Sequence, residues 1–310
     1  MAGTEPLRIQ TISELHQLRG LPRPEHPLIS VLNLDDLKRS PGKVPGSLVF
    51  DFYSISLKRY CNGKFKYGQH QYTYDEGIMY FMAPGQVFGW MGATDTEETE
   101  APLMSGWALY IHPDFLWNTP LAKSIRRYEY FDYAVNEALF LSEKEEAMII
   151  GVMQNIQSEY LANIDNFSQD IIISLIEVLL NYADRFYHRQ FLTRKMENHQ
   201  ILDRLEALLT GYFNNDDLLT EGLPSVQYLA GELNISPNYL SGLLKVLTGR
   251  NTLQHIQDRM IEKAKEKIST TQLSVSEISY AMGFEHPQSF SRLFKAKTGL
   301  SPLAFRHSFN

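Results

Sequence analysis

A chain of 310 residues is longer than one hydrophobic core usually supports, so two domains are expected. Its 44% hydrophobic and 21% charged residues exclude a disordered or fibrous chain. Ten of the 29 Lys and Arg but only six of the 36 Asp and Glu fall within 225–310, which leaves +4 there and −11 elsewhere in a net −7. A basic C-terminal part suits a polyanionic partner, while the acidic remainder repels one.

Cys61 is the only cysteine, so no intrachain disulfide can form. A lone thiol without an activating neighbour reads as a packing residue in a reducing compartment rather than as a nucleophile. The start, Met1-Ala2-Gly3-Thr4-Glu5-Pro6, lacks the basic-then-apolar pattern of a signal peptide, and no apolar run approaches the length of a membrane span. The expectation is a cytoplasmic protein held off the membrane.

Short runs of β-type residues at 28–32, 48–57, 64–74, 78–82, 87–91 and 107–112, separated by Gly, Pro and Asn, predict closely spaced strands up to about residue 112. Such spacing predicts a small antiparallel barrel or sandwich. From 142 to 190 the period becomes helical. Ser142 followed by Glu145 is a capping-box pattern, and Met148, Val152, Ile156 and Tyr160 recur every four residues. A second helix is predicted over about 166–190, with Phe167, Ile171, Leu175, Leu179 and Phe186 near one face and Ile172, Ile176 and Leu180 widening it. That stripe is broader than one small barrel needs, which assigns Ile171, Leu175 and Leu179 to a contact between two subunits. The alternative is that the whole stripe packs within its own domain. The polar, aperiodic stretch 193–200 reads as a linker between an N-terminal domain of 1–192 and a helical domain of 201–310, opened by Ile201, Leu205, Leu208 and Leu209.

The helical domain repeats itself. Ser225-Val226-Gln227-Tyr228-Leu229-Ala230 matches Ser274-Val275-Ser276-Glu277-Ile278-Ser279 at an offset of 49, and Leu240-Ser241-Gly242-Leu243-Leu244-Lys245 matches Phe290-Ser291-Arg292-Leu293-Phe294-Lys295 at 50, so the second copy carries one extra residue in its turn. Each copy reads as helix, tight turn, helix. Ser236 caps and Pro237 opens the second helix of the first copy, and Thr248-Gly249 ends it. Ser274 and Glu277 form a capping box in the second copy, Gly283 ends its first helix, and Thr298-Gly299 closes its second. Ser301-Pro302 starts a short final helix. Between the copies, 252–268 is an unbroken helical pattern, a rod of roughly 25 Å.

Helical spacing turns Leu240, Leu243, Leu244 and Leu247 inward and Asn238, Ser241, Gly242 and Lys245 outward in the first copy. In the second, Phe290, Leu293 and Phe294 turn inward and Gln288, Ser291, Arg292 and Lys295 outward. Gln, Arg and Lys on one exposed face are the groups that read base edges or neutralise phosphates in a major groove, and repetition of the whole unit argues against a merely solvated face. The candidate DNA contacts are therefore Asn238, Ser241, Lys245, Gln288, Ser291, Arg292 and Lys295. Gly242 adds no side chain to that outward face, so the first copy is expected to read little sequence.

The second copy, Ile278-Ser279-Tyr280-Ala281-Met282-Gly283-Phe284 through Phe290-Ser291-Arg292-Leu293-Phe294-Lys295 to Thr298-Gly299-Leu300-Ser301-Pro302 and Phe305-Arg306, resembles the signature of the AraC/XylS family of transcription regulators. The resemblance covers about 201–308. It implies two helix-turn-helix units entering successive major grooves of double-stranded DNA, joined by the rod, with Arg259 and Ala264 at the usual positions of the linking helix. RNA polymerase is an implied partner if the protein activates transcription.

Members of that family commonly carry a cupin-like barrel first, and Tyr80-Phe81-Met82-Ala83-Pro84-Gly85-Gln86 resembles a strand and turn found there, with 106–111 as a closing strand. A cupin enzyme needs clustered histidines and a carboxylate around a metal. His70 and His112 have no His-x-His partner, and Phe88 stands where the family-typical histidine falls, so neither a metal, a cofactor nor a catalytic residue is expected. Tyr53, Arg59, Tyr67, Trp90 and Trp107 are the candidate lining of a pocket for a small-molecule effector, the alternative being that these aromatics are core. The expected fold is α+β: a cupin-like antiparallel barrel with packed helices, then an all-α tandem helix-turn-helix domain. The expected protein is a homodimeric, effector-controlled DNA-binding regulator. The alternatives are a dimeric DNA binder without an effector, or a binding module whose C-terminal domain serves a protein partner.

Overall fold

The computed structural model of the chain describes residues 6–36, 47–60, 64–67, 70–73, 77–89, 104–133, 137–162, 167–193, 195–214 and 222–308, divided into two units, Met1–Gln190 and Phe191–Asn310. In the first unit the described strands are β1 (Leu7–Ile9), β2 (Ile29–Asn33), β3 (Ser47–Phe50), β4 (Tyr53–Tyr60), β5 (Lys64–Tyr67), β6 (His70–Thr73), β7 (Ile78–Met82), β8 (Val87–Gly89), β9 (Met104–Ile111) and β10 (Leu139–Phe140). Five make an antiparallel sheet in the order β10-β7-β4-β9-β2; three make a smaller sheet, β1-β3-β8, in which β1 runs parallel to β3. Strands β5 and β6 form a hairpin.

Two expected strands divide. The run 48–57 breaks at Asp51-Phe52, where the chain leaves the smaller sheet for the larger; the corner is pinned by Asp51 N–H donating to the Ile9 carbonyl and by Arg8 pairing with the Asp51 carboxylate at 2.9 Å. The run 64–74 folds back on itself as the β5–β6 hairpin. The parallel β1–β3 pair also departs from the antiparallel expectation, and among the described residues the pairing gives two separate sheets rather than one closed barrel. Their shared core holds Leu48, Phe50 and Phe52 against Ala108 and Tyr110, with Ile12 and Leu15 of α1 (Ile12–Leu18). That helix was not foreseen, although Thr11-Ile12-Ser13-Glu14 is a capping box in the sequence and the structure makes both of its bonds.

The other face of the larger sheet carries Ile29, Val31, Ile55, Leu57, Met79, Phe81, Trp107 and Leu109, all buried. The remaining helices of this unit are α2 (Pro120–Ser124), α3 (Glu143–Leu161) and α4 (Ser168–Thr193). The Ser142–Glu145 capping box starts α3 as expected, but its buried stripe is Ile149, Val152, Met153, Ile156 and Tyr160, while Met148 is exposed. On α4, Ile172, Ile176 and Leu180 are buried together with Leu179, and Ile171 is 42% and Phe167 69% exposed. Leu179, fully buried, is therefore excluded from an outward contact; the exposed side of α4 runs through Ile171 and Val178 instead. An aromatic stack ties α4 to the preceding chain: Tyr130 lies over Tyr187 at 5.4 Å between ring centroids, and its hydroxyl donates to the Leu180 carbonyl at 2.8 Å.

The second unit is helical: α5 (Lys195–Asn214), α6 (Val226–Leu233), α7 (Pro237–Thr248), α8 (Thr252–Thr270), α9 (Val275–Ala281), α10 (Pro287–Thr298) and α11 (Pro302–His307). The stretch 193–200, expected as a linker, is helical at Thr193 and again from Lys195, where Asn198 is buried and donates to the Phe191 carbonyl at 2.6 Å. Its polar residues hid a helix because tertiary hydrogen bonds, not an apolar stripe, hold that turn. One core joins Leu205 and Leu209 of α5, Leu229 and Leu233 of α6, Leu240 and Leu244 of α7, Ile256, Met260 and Ala264 of α8, Ile278 of α9, and Phe290 and Phe294 of α10. Each fully buried side chain of that size contributes roughly 1.5–3 kcal/mol.

Candidate functional site

Matching caps build the two helix-turn-helix units. Ser225 and Ser274 each accept from a backbone N–H three residues on, starting α6 and α9, and the second helices of the units, α7 and α10, each open on a proline. Gly249 and Gly299, at φ of +73° and +79°, end both. In the turn of the second unit Gly283 (φ +77°) lies so close to Gly222 that a Cβ would stand 2.9 Å from its Cα, which leaves no room for any other residue.

Lys245, Gln288, Arg292 and Lys295 are exposed, and Asn238, Ser241, Gly242 and Ser291 are half-buried. Leu240, Leu243, Leu244, Phe290 and Phe294 are buried, whereas Leu247 and Leu293 are only half covered. Tyr239 was missed: it is buried and meets Phe191 at 5.1 Å between ring centroids. Ser241 does not point freely outward, because its hydroxyl lies 3.0 Å from that of the buried Thr252 at the start of α8. With Gly242 beside it, α7 carries few outward polar side chains; α10 carries Gln288, Ser291 and Arg292.

Helix α8, 19 residues long, sets the spacing of the units at about 28 Å end to end. Asn251 and Gln254 cap it reciprocally. Arg259 reaches back to Thr210 of α5 at 2.7 Å and pairs with Glu262 at 2.9 Å, while Ala264 is buried against its neighbours. Asp258 bridges the two units: one carboxylate oxygen accepts from Arg250, just past the end of α7, at 2.6 Å, and the other from Lys297 in the last turn of α10 at 2.8 Å. His255, half-buried near Asp258, bonds Thr248 at 2.9 Å, and burial lowers its pKa against the opposing pull of Glu206 and Asp258. Arg306 of α11 donates to the carbonyls of Ile268 and Leu273, covering the C-terminal end of α8.

Of the five expected pocket residues, the described side chains place Tyr53, Arg59 and Trp107. Strand register puts Tyr53, Arg59 and Trp107 on the same face of the larger sheet, the face packed by helices rather than the one turned toward the smaller sheet. There Tyr53 meets Phe131 edge-on, Trp107 is buried in the core, and Arg59 is paired with the buried Glu146 of α3. Tyr67 falls in β5; Trp90 and Cys61 lie outside the described residues. His112 caps the following turn by accepting from Asp114 N–H at 3.2 Å, a structural role, and His70 falls in β6. Among the described residues, no three His, Cys, Asp or Glu side chains are grouped to hold a metal ion, and no helix is long and apolar enough to cross a membrane.

Residues 229–308 match a family model described as a helix-turn-helix domain. Over 144 residues the chain is 32% identical to the uncharacterized HTH-type transcriptional regulator YfiF of Bacillus subtilis (strain 168), covering 46% of this chain and 42% of that protein. Over 122 residues it is 31% identical to the arabinose operon regulatory protein of Escherichia coli (strain K12), covering 38% of this chain and 41% of that protein. Among solved structures, the C-terminal domain of AraT, a response regulator from Geobacillus stearothermophilus, is 29% identical and aligns with 35% of this chain and 84% of its own length at a TM-score of 0.31. The chain thus spans about two fifths of the length of these two curated relatives.

Proposed function

We propose that this chain, whose C-terminal region is an AraC-type helix-turn-helix domain, is a sequence-specific transcription regulator that reads double-stranded DNA with α7 and α10. The observation that carries this reading is the pair of recognition helices on one rod, each opened by a proline and ended by a left-handed glycine, with its polar side outward. Asn238, Ser241, Lys245, Gln288, Ser291, Arg292 and Lys295 are the proposed contacts, with Arg292 able to hold a guanine through two hydrogen bonds. The test is selection of bound sequences from a random duplex pool by the whole chain. The expected product is a motif of two half-elements about one helical turn apart, the one under α10 sharper. A pool that enriches nothing would remove the reading.

The N-terminal unit is read as a cupin-like sensing and dimerising domain without catalytic function, holding a small-molecule effector between its two sheets, in a cytoplasmic homodimer that meets RNA polymerase if it activates transcription. The exposed Ile171 and Val178, with Leu175 half-covered between them, support α4 as the self-contact. A second reading, a dimer without an effector, is favoured by one observation: Phe50 and Phe52 stack at 4.8 Å with Tyr110 edge-on, so one end of the space between the sheets is filled by its own rings.

A further inference from the structure

The two helix-turn-helix copies part at one position next to their outward residues. The offset of 50 that aligns Leu240 with Phe290 sets Tyr239 of α7 against Ser289 of α10. Tyr239 is buried, whereas Ser289 is exposed. A unit of this kind therefore needs no ring in the first turn of its second helix, since α10 does without one. The ring of Phe191 meets that of Tyr239 edge-on, at 77° and 5.1 Å between centroids. Such a pair attracts beyond the area it buries and prefers a definite angle between its rings.

Phe191 is itself held. It is the first residue of the second unit and lies in the last turn of α4. Carbonyls in a last helical turn have no partner within the helix, and that of Phe191 accepts from the side-chain amide of the buried Asn198 at 2.6 Å. Leu192, one residue on, is 53% exposed against 2% for Phe191, so a single ring is inserted rather than the whole turn covered. The same first turn of α7 is pinned from below by Ser236, which accepts from Tyr239 N–H at 3.2 Å, while the start of α10 has no side-chain cap bond at His286. Cap and ring thus converge on Tyr239, beside Asn238.

We propose that Phe191 is a positioning residue for DNA binding, holding the first turn of α7 through Tyr239 at the angle from which Asn238 and Lys245 face a duplex. The inference rests on the reading of α7 as a DNA-contacting helix and names what seats it. The N-terminal residues of such a helix are the ones that meet base edges. With its 12 residues α7 is about 18 Å long, so a tilt of about 10° moves that turn by about 3 Å, the length of a hydrogen bond. Helix α10 is placed by Phe290 and Phe294 in the core and has no ring at Ser289, so the effect of Phe191 is confined to one of the two units.

Two measurements on the whole chain test this, the first without DNA. Hydrogen exchange read by mass spectrometry compares peptides covering 237–245 and 287–295. Phe191→Ala should speed exchange in the first about tenfold and leave the second within about twofold. Tyr239→Ser, which copies α10, should do the same, and joining the two changes should add nothing, because both remove one contact. Tyr239→Phe keeps the ring and should stay within about twofold of the unchanged chain. Hydroxyl-radical footprinting on the selected duplex then compares the half-elements: Phe191→Ala should weaken protection under α7 by about threefold or more and leave that under α10 intact.

Equal acceleration of both peptides would make Phe191 a core residue and nothing more, which overturns the proposal. No acceleration in either peptide also overturns it, as does a faster α7 whose footprint is unchanged. Should Phe191→Ala fail to fold, Phe191→Leu, which keeps apolar volume without the ring, carries the same expectations. A random pool that enriches no duplex removes the DNA reading itself, and the exchange comparison still decides whether Phe191 holds α7.

Discussion

Replacing Asp258 with Asn should loosen the two helix-turn-helix units from each other. The carboxylate holds Arg250 at 2.6 Å and Lys297 at 2.8 Å, so one side chain on α8 ties the end of α7 to the end of α10. The amide keeps the shape and one acceptor oxygen but removes the charge. Side-chain exposures are 60% for Arg250, 27% for Lys297 and 26% for Asp258, so solvent screens the first pair more than the second. Exposed pairs are worth about 0.2–1 kcal/mol each; allowing the lower end for Arg250 and the upper for Lys297, the loss is about 1 kcal/mol. For a domain of about 100 residues that lowers the melting temperature by roughly 4–8 °C, readable in the C-terminal transition by calorimetry. A double-mutant cycle with Lys297→Ala should return a coupling of at least about 0.5 kcal/mol. In duplex selection the variant should tolerate half-element spacings one base pair shorter or longer. A coupling near zero together with an unchanged spacing preference would refute the bridge.

Arg292→Ala should cost roughly 1–3 kcal/mol in binding to the selected motif and relax preference at one base pair, measured by fluorescence anisotropy on single-base variants. Lys245→Ala and Lys295→Ala should weaken binding to all sequences alike and flatten the salt dependence by about one unit each. Glutamates at Ile171 and Val178 should give monomers by light scattering without loss of fold, whereas Leu179→Ala, a change in the core, should cost about 2–5 kcal/mol of stability and leave assembly unchanged. The Lys58 ammonium, near Tyr80 and Arg19, has a folded pKa of about 8 against 10.5 for an unfolded lysine. The unfolded chain therefore binds more protons between those values, so denaturation titrations should find stability rising as pH goes from 8 to 10.5 in the native sequence and not in Lys58→Met.

The C-terminal unit was legible because its signals are local. Ser225, Ser236, Ser274 and Ser301 cap through their own neighbours, Gly249 and Gly299 end helices by their own φ, and a repeat offset of 49 and then 50 fixes where each helix restarts. The N-terminal unit was legible only in outline. Strand runs appear in the sequence, but which face of β4 meets which layer is set by register with β7 and β9, and register leaves no local mark. The aromatic and basic residues most suggestive of a pocket, Tyr53, Arg59 and Trp107, lie on the helix-packed face, while Ser54, Ser56 and Lys58, less conspicuous in the sequence, lie on the other. A shift of one residue separates the two sets. On α4 the error was one of phase: Leu179 and Ile171 are eight residues apart, about 80° around a helix, enough to put one in the core and the other in solvent.

The proposed recognition helices α7 and α10 differ in what they offer a duplex, and the difference is built into the packing as well as the composition. Ser241 lies against Thr252, the first residue of α8, so the hydroxyl that spacing turns outward on α7 also fixes that helix to the rod. Gly242 removes the next outward side chain, and Lys245 supplies charge without a preferred base. Helix α10 keeps Gln288, Ser291 and Arg292 on its outer side, and Lys297 in its last turn is held to the same rod by Asp258. A unit poor in base-reading groups but rich in fixed contacts suits a positioning role: phosphate contacts set register on the duplex, and base contacts made elsewhere set preference. In the proposed arrangement the rod matters as much as either helix, because preference set by α10 counts only if α7 is held at a fixed distance from it. The ties on α8 meet that requirement: Asn251 caps its start, Arg306 covers its end, Arg259 reaches α5, and Asp258 joins both units.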